Sequence, residues 1–439
     1  MLNNNKLHIG IDGFNLSLER GTGVATYART LCQTLSSMGH AVNVIYGMQI
    51  PNRSNQDLRE VRFFDRLGAP QDARPIKFLS KRWLRERKAD LIAPSPVEIR
   101  ISNRIDTRSL AAHIPSFDRL FNADNLFNRA ARHFRQTGKF TSVRMKSTPD
   151  IMHWTYPMPI EIVGAKNIYT LHDIVPLRLP HTTLDDKSYY FRLLRKIANR
   201  ADGICTVSEA SRRDILSFFP ATASRLHNTY QSCDTNKPAY KRSEDECRVE
   251  IKAEFGLGSQ EFFLFFGSLE PKKNIGRIIE AFLASGSSRK LVIVGAMAWK
   301  SEKELRYLER GITTGRIIKI DYLPEHTLFA LLRHARALLF PSLSEGFGLP
   351  VLEAMLCGVP TLISDEGSLP EIGGDAALKT EAYNTEAIAD GIRRLDHDDT
   401  LCKKLIAAGY RQSEKFNMIS YQQRLAAMYA AILSTTREI

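Results

Sequence analysis

No stretch of this 439-residue sequence is apolar for the ~20 residues that a bilayer-spanning helix needs, so a membrane span is not expected. The start, MLNNNKLHIGID, lacks the basic head, apolar run and small-residue cleavage site of a secretory leader. Six cysteines (Cys32, Cys205, Cys233, Cys247, Cys357 and Cys402) are scattered with no CxxC pair. That spacing argues against a zinc site or a disulfide framework and points to reduced thiols in a cytoplasm. There is no fixed-period repeat and no low-complexity tract. Neither GxGxxG nor GxxxxGK[ST] occurs, which removes the common dinucleotide and P-loop fingerprints. An HExxH helix and a Ser/His/Asp order are also missing, so hydrolase readings have little support.

What is present is an ordinary globular composition, 43% apolar and 25% charged, with a formal net charge of +13. The length predicts two or three domains, each able to bury a core. The charge is concentrated: residues 51–150 hold 21 Lys and Arg against 11 Asp and Glu, a surplus of ten. The densest part is KRWLRERK, Lys81 to Lys88. It reads either as a solvated helix face or as a surface for anionic lipid or an acidic acceptor. Nucleic acid is a third possibility for such a stretch, but no binding module is legible and no nucleic-acid partner is expected.

Apolar runs alternate with helical spacings. LHIGID, GVATYARTLCQTLSSMG and AVNVIYG read as strand, helix and strand, with Gly39 as the residue that stops the helix. Such a β-α-β opening predicts a parallel sheet. Residues 235–260 are polar and read as a boundary that is helical in part. A second series follows, with strands at FFLFFGSL, KLVIVGA, IIKIDYL, ALLFPSL and PTLIS and helices between them. The expected fold is α/β with two Rossmann-like, doubly wound units facing across a cleft. Their expected extents are 1–240, with a basic insertion around 51–150, and 255–415. A final amphipathic helix lies in 416–439. In open parallel sheets ligands sit beyond the carboxyl ends of the strands, so the polar residues just after strands are the ones to read for chemistry.

Five clusters qualify: ERGTGVAT, LHDIVP, TVSEAS, GSLEPKKN and SEGFGLPVLE. In GSLEPKKN, Lys272 and Lys273 stand before a helix for which Asn274 is the candidate N-cap. Two ammonium groups beside free N–H groups make an anion site, and a basic surface turn is the plainer alternative. In SEGFGLPVLE, Gly346 and Gly348 permit close backbone approach, and Pro350 fits a first helical turn. Glu345 and Glu353 flank that set of donors. A tight turn with Glu353 on the solvent face is the alternative. His172, beside Asp173, ends a strand-like run.

These five motifs, in this order, resemble the retaining glycosyltransferases of family 4. SEGFGLPVLEAMLCGVPTLISDEGSLPEI is similar to that family's E-x7-E signature, and GSLEPKKN to its GTLEPRKN-type element. The resemblance covers most of the chain, with residues 51–150 excepted. It implies the GT-B fold, a final helix crossing back to the first domain, and transfer of a sugar from a nucleotide-sugar with retention of anomeric configuration. No metal or other cofactor is implied. Position by position, Glu345 would accept hydrogen bonds from the donor sugar, and Glu353 would hold the ribose hydroxyls. The backbone of Gly346, Phe347, Gly348 and Leu349 would touch sugar and diphosphate. Lys273 would bind the diphosphate, and His172 would lie near the reacting centre. Gly21 and Gly23 would let the first domain close on the diphosphate. The pattern departs at Ser268, where many members carry arginine; Lys272 is the candidate for that second contact, although arginine binds phosphate bidentately and lysine does not.

Without a metal, charge building on the departing β-phosphate needs fixed cations and aimed N–H dipoles. A front-face process is favoured over a covalent intermediate. The resemblance is nearest to bacterial mannosyl- and rhamnosyltransferases of polysaccharide assembly. GDP-mannose is therefore the first donor, with UDP- or dTDP-sugars as alternatives. The expected acceptor is a glycan or a polyprenyl-diphosphate-linked glycan, met at the inner face of a membrane through residues 51–150. A nucleotide-sugar epimerase of the same fold and a non-catalytic lipid-binding protein are the competing classes.

Overall fold

The computed structural model describes residues 6–19, 23–50, 56–69, 93–111, 113–296 and 307–435. Gly21 and the basic run Lys81 to Lys88 lie outside the described residues.

Two parallel sheets organise the chain. The first has eight strands, in the spatial order Leu226–Asn228, Gly203–Thr206, Lys166–Thr170, Ile151–Trp154, His8–Asp12, Ala41–Tyr46, Arg119–Asn122 and Val97–Glu98. Only the last pair is antiparallel. The second has six parallel strands, in the order Ile317–Ile320, Lys290–Val294, Phe262–Phe266, Ala337–Phe340, Thr361–Ser364 and Ala377–Thr380. All five residues of Phe262–Phe266 are buried. A central parallel strand is covered on both faces, which is why FFLFF reads as a continuous apolar run and does not alternate.

The reading at 51–150 changes, and the helical part expected within 235–260 takes definite form. Arg119–Asn122 pairs in parallel with Ala41–Tyr46, so part of the region expected to be an insertion is integral to the first sheet. Glu244–Phe255 is a helix opened by a reciprocal capping box between Ser243 and Glu246. Its Cys247 and Ile251 pack into the second core. Asn274 sits at the expected helix start with φ +61°, but its side chain does not cap that helix. Its amide donates to Pro341 O (2.9 Å) and Ala382 O (2.7 Å), tying two loops to the helix.

The final helix, Met418–Ser434, returns to the first unit. Tyr421, Leu425, Met428, Tyr429 and Ile432 join Ile9, Ala28, Leu31 and Ile151 in one core. A buried polar contact fixes it: Tyr429 OH is 2.8 Å from His153 Nδ1, while His153 Nε2 is 2.8 Å from Thr170 Oγ1. Burial drives the His153 imidazole down to a pKa of about 3, with His172 adding to the shift, so it stays neutral there.

Candidate active site

The second sheet supplies one wall of the cleft. Strand Phe262–Phe266 ends at Gly267, whose φ of +135° suits glycine. The chain then turns through Pro271–Lys273. Strand Ala337–Phe340 ends nearby and leads into the loop bearing Glu345. The two turns meet at an ion pair: Lys273 Nζ lies 2.6 Å from Glu345 Oε1, with side chains only 14% and 9% exposed. The same ammonium sits 4.9 Å above the Phe340 ring. Lys272 O accepts Leu343 N–H at 2.8 Å, so the turns are also joined through backbone. Burial alone would lower the Lys272 ammonium, but Asp173, Glu345 and Glu270 outweigh it and hold its pKa above the ordinary value. Ser268 does not reach into the cleft as a free donor: its hydroxyl donates to Glu270 Oε1 at 2.8 Å.

Helix Leu349–Leu356 follows, opened by Gly348 with φ +105° and by proline in the first turn. A Cβ at Gly346 would lie 2.5 Å from His172 O, so glycine lets this loop touch the opposite wall. Phe347 turns inward and packs edge-on against Phe416 at 5.5 Å. Leu349 is half-buried at the helix start.

Glu353, one turn on, has other charged neighbours than the Lys273–Glu345 pair. Burial raises its carboxyl to a pKa of about 7; Lys237 pulls it down and Glu325 pushes it further up. Lys237 in turn bonds Glu325 Oε1 at 2.6 Å. The two signature glutamates therefore answer to different lysines, Lys273 and Lys237.

The first sheet supplies the other wall. His172 follows strand Lys166–Thr170 and stands edge-on to the Tyr27 ring at 4.8 Å. Its Nε2 lies 2.9 Å from Thr155 O. A carbonyl only accepts, so Nε2 carries the proton, and Nδ1 is left to accept from Gln231 Nε2 at 3.4 Å. Burial holds this imidazole below its ordinary pKa; the Thr155 bond and Asp173 oppose the shift, and Lys272 adds to it. Thr155 is itself fixed, its N–H donating to Asp12 Oδ2. Asp12 is fully buried, and burial raises its carboxyl to about 6 against the hydrogen bonds that lower it. Gly23 opens helix Gly23–Ser37 with empty space where a Cβ would stand.

Between the walls lies a cavity of about 500 Å³ whose lining includes Val24, Tyr156, His172, Asp173, Glu270 and Lys272. Two contacts bridge the units directly. The Ser211 hydroxyl lies 2.8 Å from His172 O and 3.2 Å from Gly346 O. The Glu371 carboxylate accepts N–H groups of Glu209 (2.9 Å) and Ala210 (3.0 Å) at the start of the opposite unit's helix Glu209–Phe218. An anion at a helix N-terminus is a favourable, charge-assisted partner.

The structure thus unites Lys272, Lys273, Glu345, the Gly346–Gly348 loop and His172, and sets Ser268 and Glu353 to the side. Sequence reasoning missed Asp12, Thr155 and Gln231, and held Ser211 and Glu371 only as unassigned members of TVSEAS and of the signature stretch. Asp12 ends a strand, which was an available signal; the others act through contacts distant in sequence.

Comparison with known proteins follows the same division. Residues 248–412 match the family model "Glycosyl transferases group 1", and residues 106–237 match "Glycosyltransferase Family 4". The chain is similar to O-antigen chain mannosyltransferase B of Escherichia coli, 32% identical over 255 residues, which are 57% of this chain and 66% of that protein. It is also similar to the serotype-specific mannosyltransferase WbdA of Escherichia coli, 27% identical over 293 residues, covering 65% of this chain and 36% of that protein. The matches thus span just under two thirds of the first relative and about a third of the second. Anabaena Alr3699/HepE, crystallised with UDP and glucose, superposes with a TM-score of 0.63 at 15% identity, over 97% of this chain and 100% of that one.

Proposed function

Because the chain belongs to the family 4 glycosyltransferases of GT-B fold, we propose that it moves a sugar from a nucleotide-sugar to an acceptor hydroxyl in bacterial polysaccharide assembly. The observation that carries this reading is the Lys273–Glu345 pair, held against the glycine loop and opposite His172. The names of the two mannosyltransferase relatives favour mannose, with GDP-mannose as donor. UDP- and dTDP-sugars are the alternatives. The acceptor is a glycan or a lipid-linked glycan, entering through the cavity beside His172 and Asp173.

In this reading Lys272 and Lys273 take the charge that grows on the β-phosphate, assisted by backbone N–H groups from Gly346 to Leu349. Glu345 does double duty, positioning Lys273 and accepting bonds from the sugar. Glu353 holds the ribose. Neutral His172 borders the reacting carbon without adding a competing positive charge. The departing phosphate helps to deprotonate the acceptor on the same face, which gives retention. Fixed cations fill the role of a metal, so turnover should survive a chelator.

Product analysis with and without acceptor tests the class. A new α-linked glycan formed from an α-donor supports retaining transfer. An epimerised nucleotide-sugar without acceptor, or a β-linked product, would overturn it.

A further inference from the structure

Two neighbouring helices of the first unit carry a surface that sugar transfer does not use. Leu126–Thr137 (LFNRAARHFRQT) holds three arginines, and Lys187–Arg200 (KSYYFRLLRKIANR) five lysines and arginines; neither holds an aspartate or glutamate. Their rings bring them together: Phe134 lies 5.5 Å from Tyr189, and the Arg135 guanidinium 4.8 Å above that Tyr189 ring. Helix Lys187–Arg200 packs inward through Tyr190, Leu193, Leu194 and Ile197. Arg192, Arg195 and Asn199 therefore recur on its outer face, with Lys196 half-buried beside them. With Phe134 and Gly138 they line a second cavity, of about 450 Å³.

Among the described residues no carboxylate pairs with Arg192, Arg195 or Lys196. The acids close by are engaged: Asp186 caps the helix through Tyr189 N–H, and Glu161 holds Arg200. Next to the cations runs an aromatic ridge. Arg195 stands 5.8 Å over Phe191, Phe191 is 5.8 Å from Phe219, and Phe219 is 6.3 Å from Phe218. Phe191 and Phe218 are 37% and 41% exposed.

Unpaired cations around a hollow suit a phosphate, and exposed rings beside them suit the headgroup level of a bilayer. A soluble anion would account for the cations and leave the two phenylalanines without a role. We propose that this face docks on an anionic membrane, with a headgroup phosphate in the Arg192–Arg195–Lys196 pocket and Phe191 and Phe218 at the interface. The same helix also reaches the cleft, where the Tyr190 hydroxyl donates to Asp173 O at 3.2 Å. A helix that touches the bilayer therefore touches the cavity proposed for the acceptor. The inference deepens the lipid-linked reading of the acceptor and does not depend on the donor.

The test is flotation of the full-length protein with vesicles of equimolar phosphatidylglycerol and phosphatidylcholine, and with phosphatidylcholine alone. Wild type should bind the anionic vesicles only. Each cation near an anionic leaflet strengthens binding about fivefold, so Arg192→Ala/Arg195→Ala/Lys196→Ala should weaken it about a hundredfold. Phe191→Ser/Phe218→Ser should weaken it by a similar order, with melting temperature and donor hydrolysis unchanged as proof of folding. Wild-type binding by the triple variant, no vesicle binding by wild type, or loss only when Lys81, Arg82, Arg85, Arg87 and Lys88 are neutralised would each overturn the assignment. Failure of the glycosyltransferase reading would show separately, as absent donor turnover with vesicle binding intact.

Discussion

The two walls of the cleft are built on opposite principles. The C-terminal wall is charged, local and paired: Lys272 and Lys273 are adjacent in one turn, and Glu345 meets Lys273 from the next loop at 2.6 Å. The N-terminal wall is assembled from afar, with Asp173 lining the cleft beside an imidazole that burial keeps neutral. His172 leans on Thr155, which leans on Asp12, while Gln231 and Tyr27 reach in from other elements. The division suits a transfer between an anionic donor and a hydroxyl acceptor. Cations belong where diphosphate leaves, and an imidazole held neutral adds no competing positive charge where the acceptor attacks.

Breaking the charged wall should have the largest effect. Glu345→Ala removes a bond to a charged group worth ~1.5–3 kcal/mol and strands a mostly buried ammonium. We expect kcat/KM to fall at least about tenfold, toward a hundredfold if the contact tightens in the transition state. Lys273→Met should do similar damage, and the double variant should lose much less than the sum of the two, because one pair is broken twice. Additive losses, measured by steady-state kinetics, would mean that the two side chains act separately.

The N-terminal wall should answer in stability as well as rate. Asp12→Ala leaves the Thr155 N–H unpaired in the interior and should cost about 1–3 kcal/mol in denaturant unfolding. Tyr429→Phe, which strips His153 of a partner beneath the same wall, should cost a similar amount and leave KM for the donor unchanged.

The contrast between the walls also explains what the sequence made visible. GSLEPKKN and SEGFGLPVLE are contiguous, so Lys272, Lys273, Glu345 and the glycine loop could be picked out as a group. His172 could be named, but not the Thr155 carbonyl that fixes its proton or the Asp12 carboxylate behind that. Those depend on which strands are neighbours: Ile151–Trp154 runs between His8–Asp12 and Lys166–Thr170, an order no local pattern encodes. Strand Ala377–Thr380 escaped for another reason. It is a four-residue edge strand, only half buried, and it follows the glycines at Gly373 and Gly374. The spacing of Glu345 and Glu353 marked a pair of positions in the sequence. That the two carboxylates sit under different lysines, Glu345 paired with Lys273 and Glu353 in the field of Lys237, needed the segment at Lys237, which arrives from outside either motif.

A smaller effect is expected at the bridge between the walls. Glu371→Gln keeps an acceptor for Glu209 and Ala210 but loses the charge, so kcat/KM should fall several-fold with little change in melting temperature. Glu371→Ala should fall further. Equal values for both variants would show that the carboxylate's charge, not the bond, holds the walls together.

The smallest effect concerns pH. Glu353 has a raised folded-state pKa of about 7, so its contribution to stability is present below the ordinary 4.5 and is lost as pH rises through about 7. Ionisation over the same window improves it as an acceptor for two ribose hydroxyls. Donor KM should therefore fall a few-fold between about pH 6 and 8, and Glu353→Gln should flatten that slope. An unchanged slope in the glutamine variant would remove Glu353 from donor binding.

The most direct test of the whole account is a donor panel. Purified protein is mixed with GDP-mannose, UDP-glucose, UDP-galactose or dTDP-rhamnose, and both thermal stabilisation and nucleoside diphosphate release are read. GDP-mannose should raise the melting temperature most and be turned over fastest, with both effects reduced in Glu345→Ala. Stabilisation and turnover by none of the four, or an undiminished response in Glu345→Ala, would contradict the claim that the Lys273–Glu345 wall is the donor site.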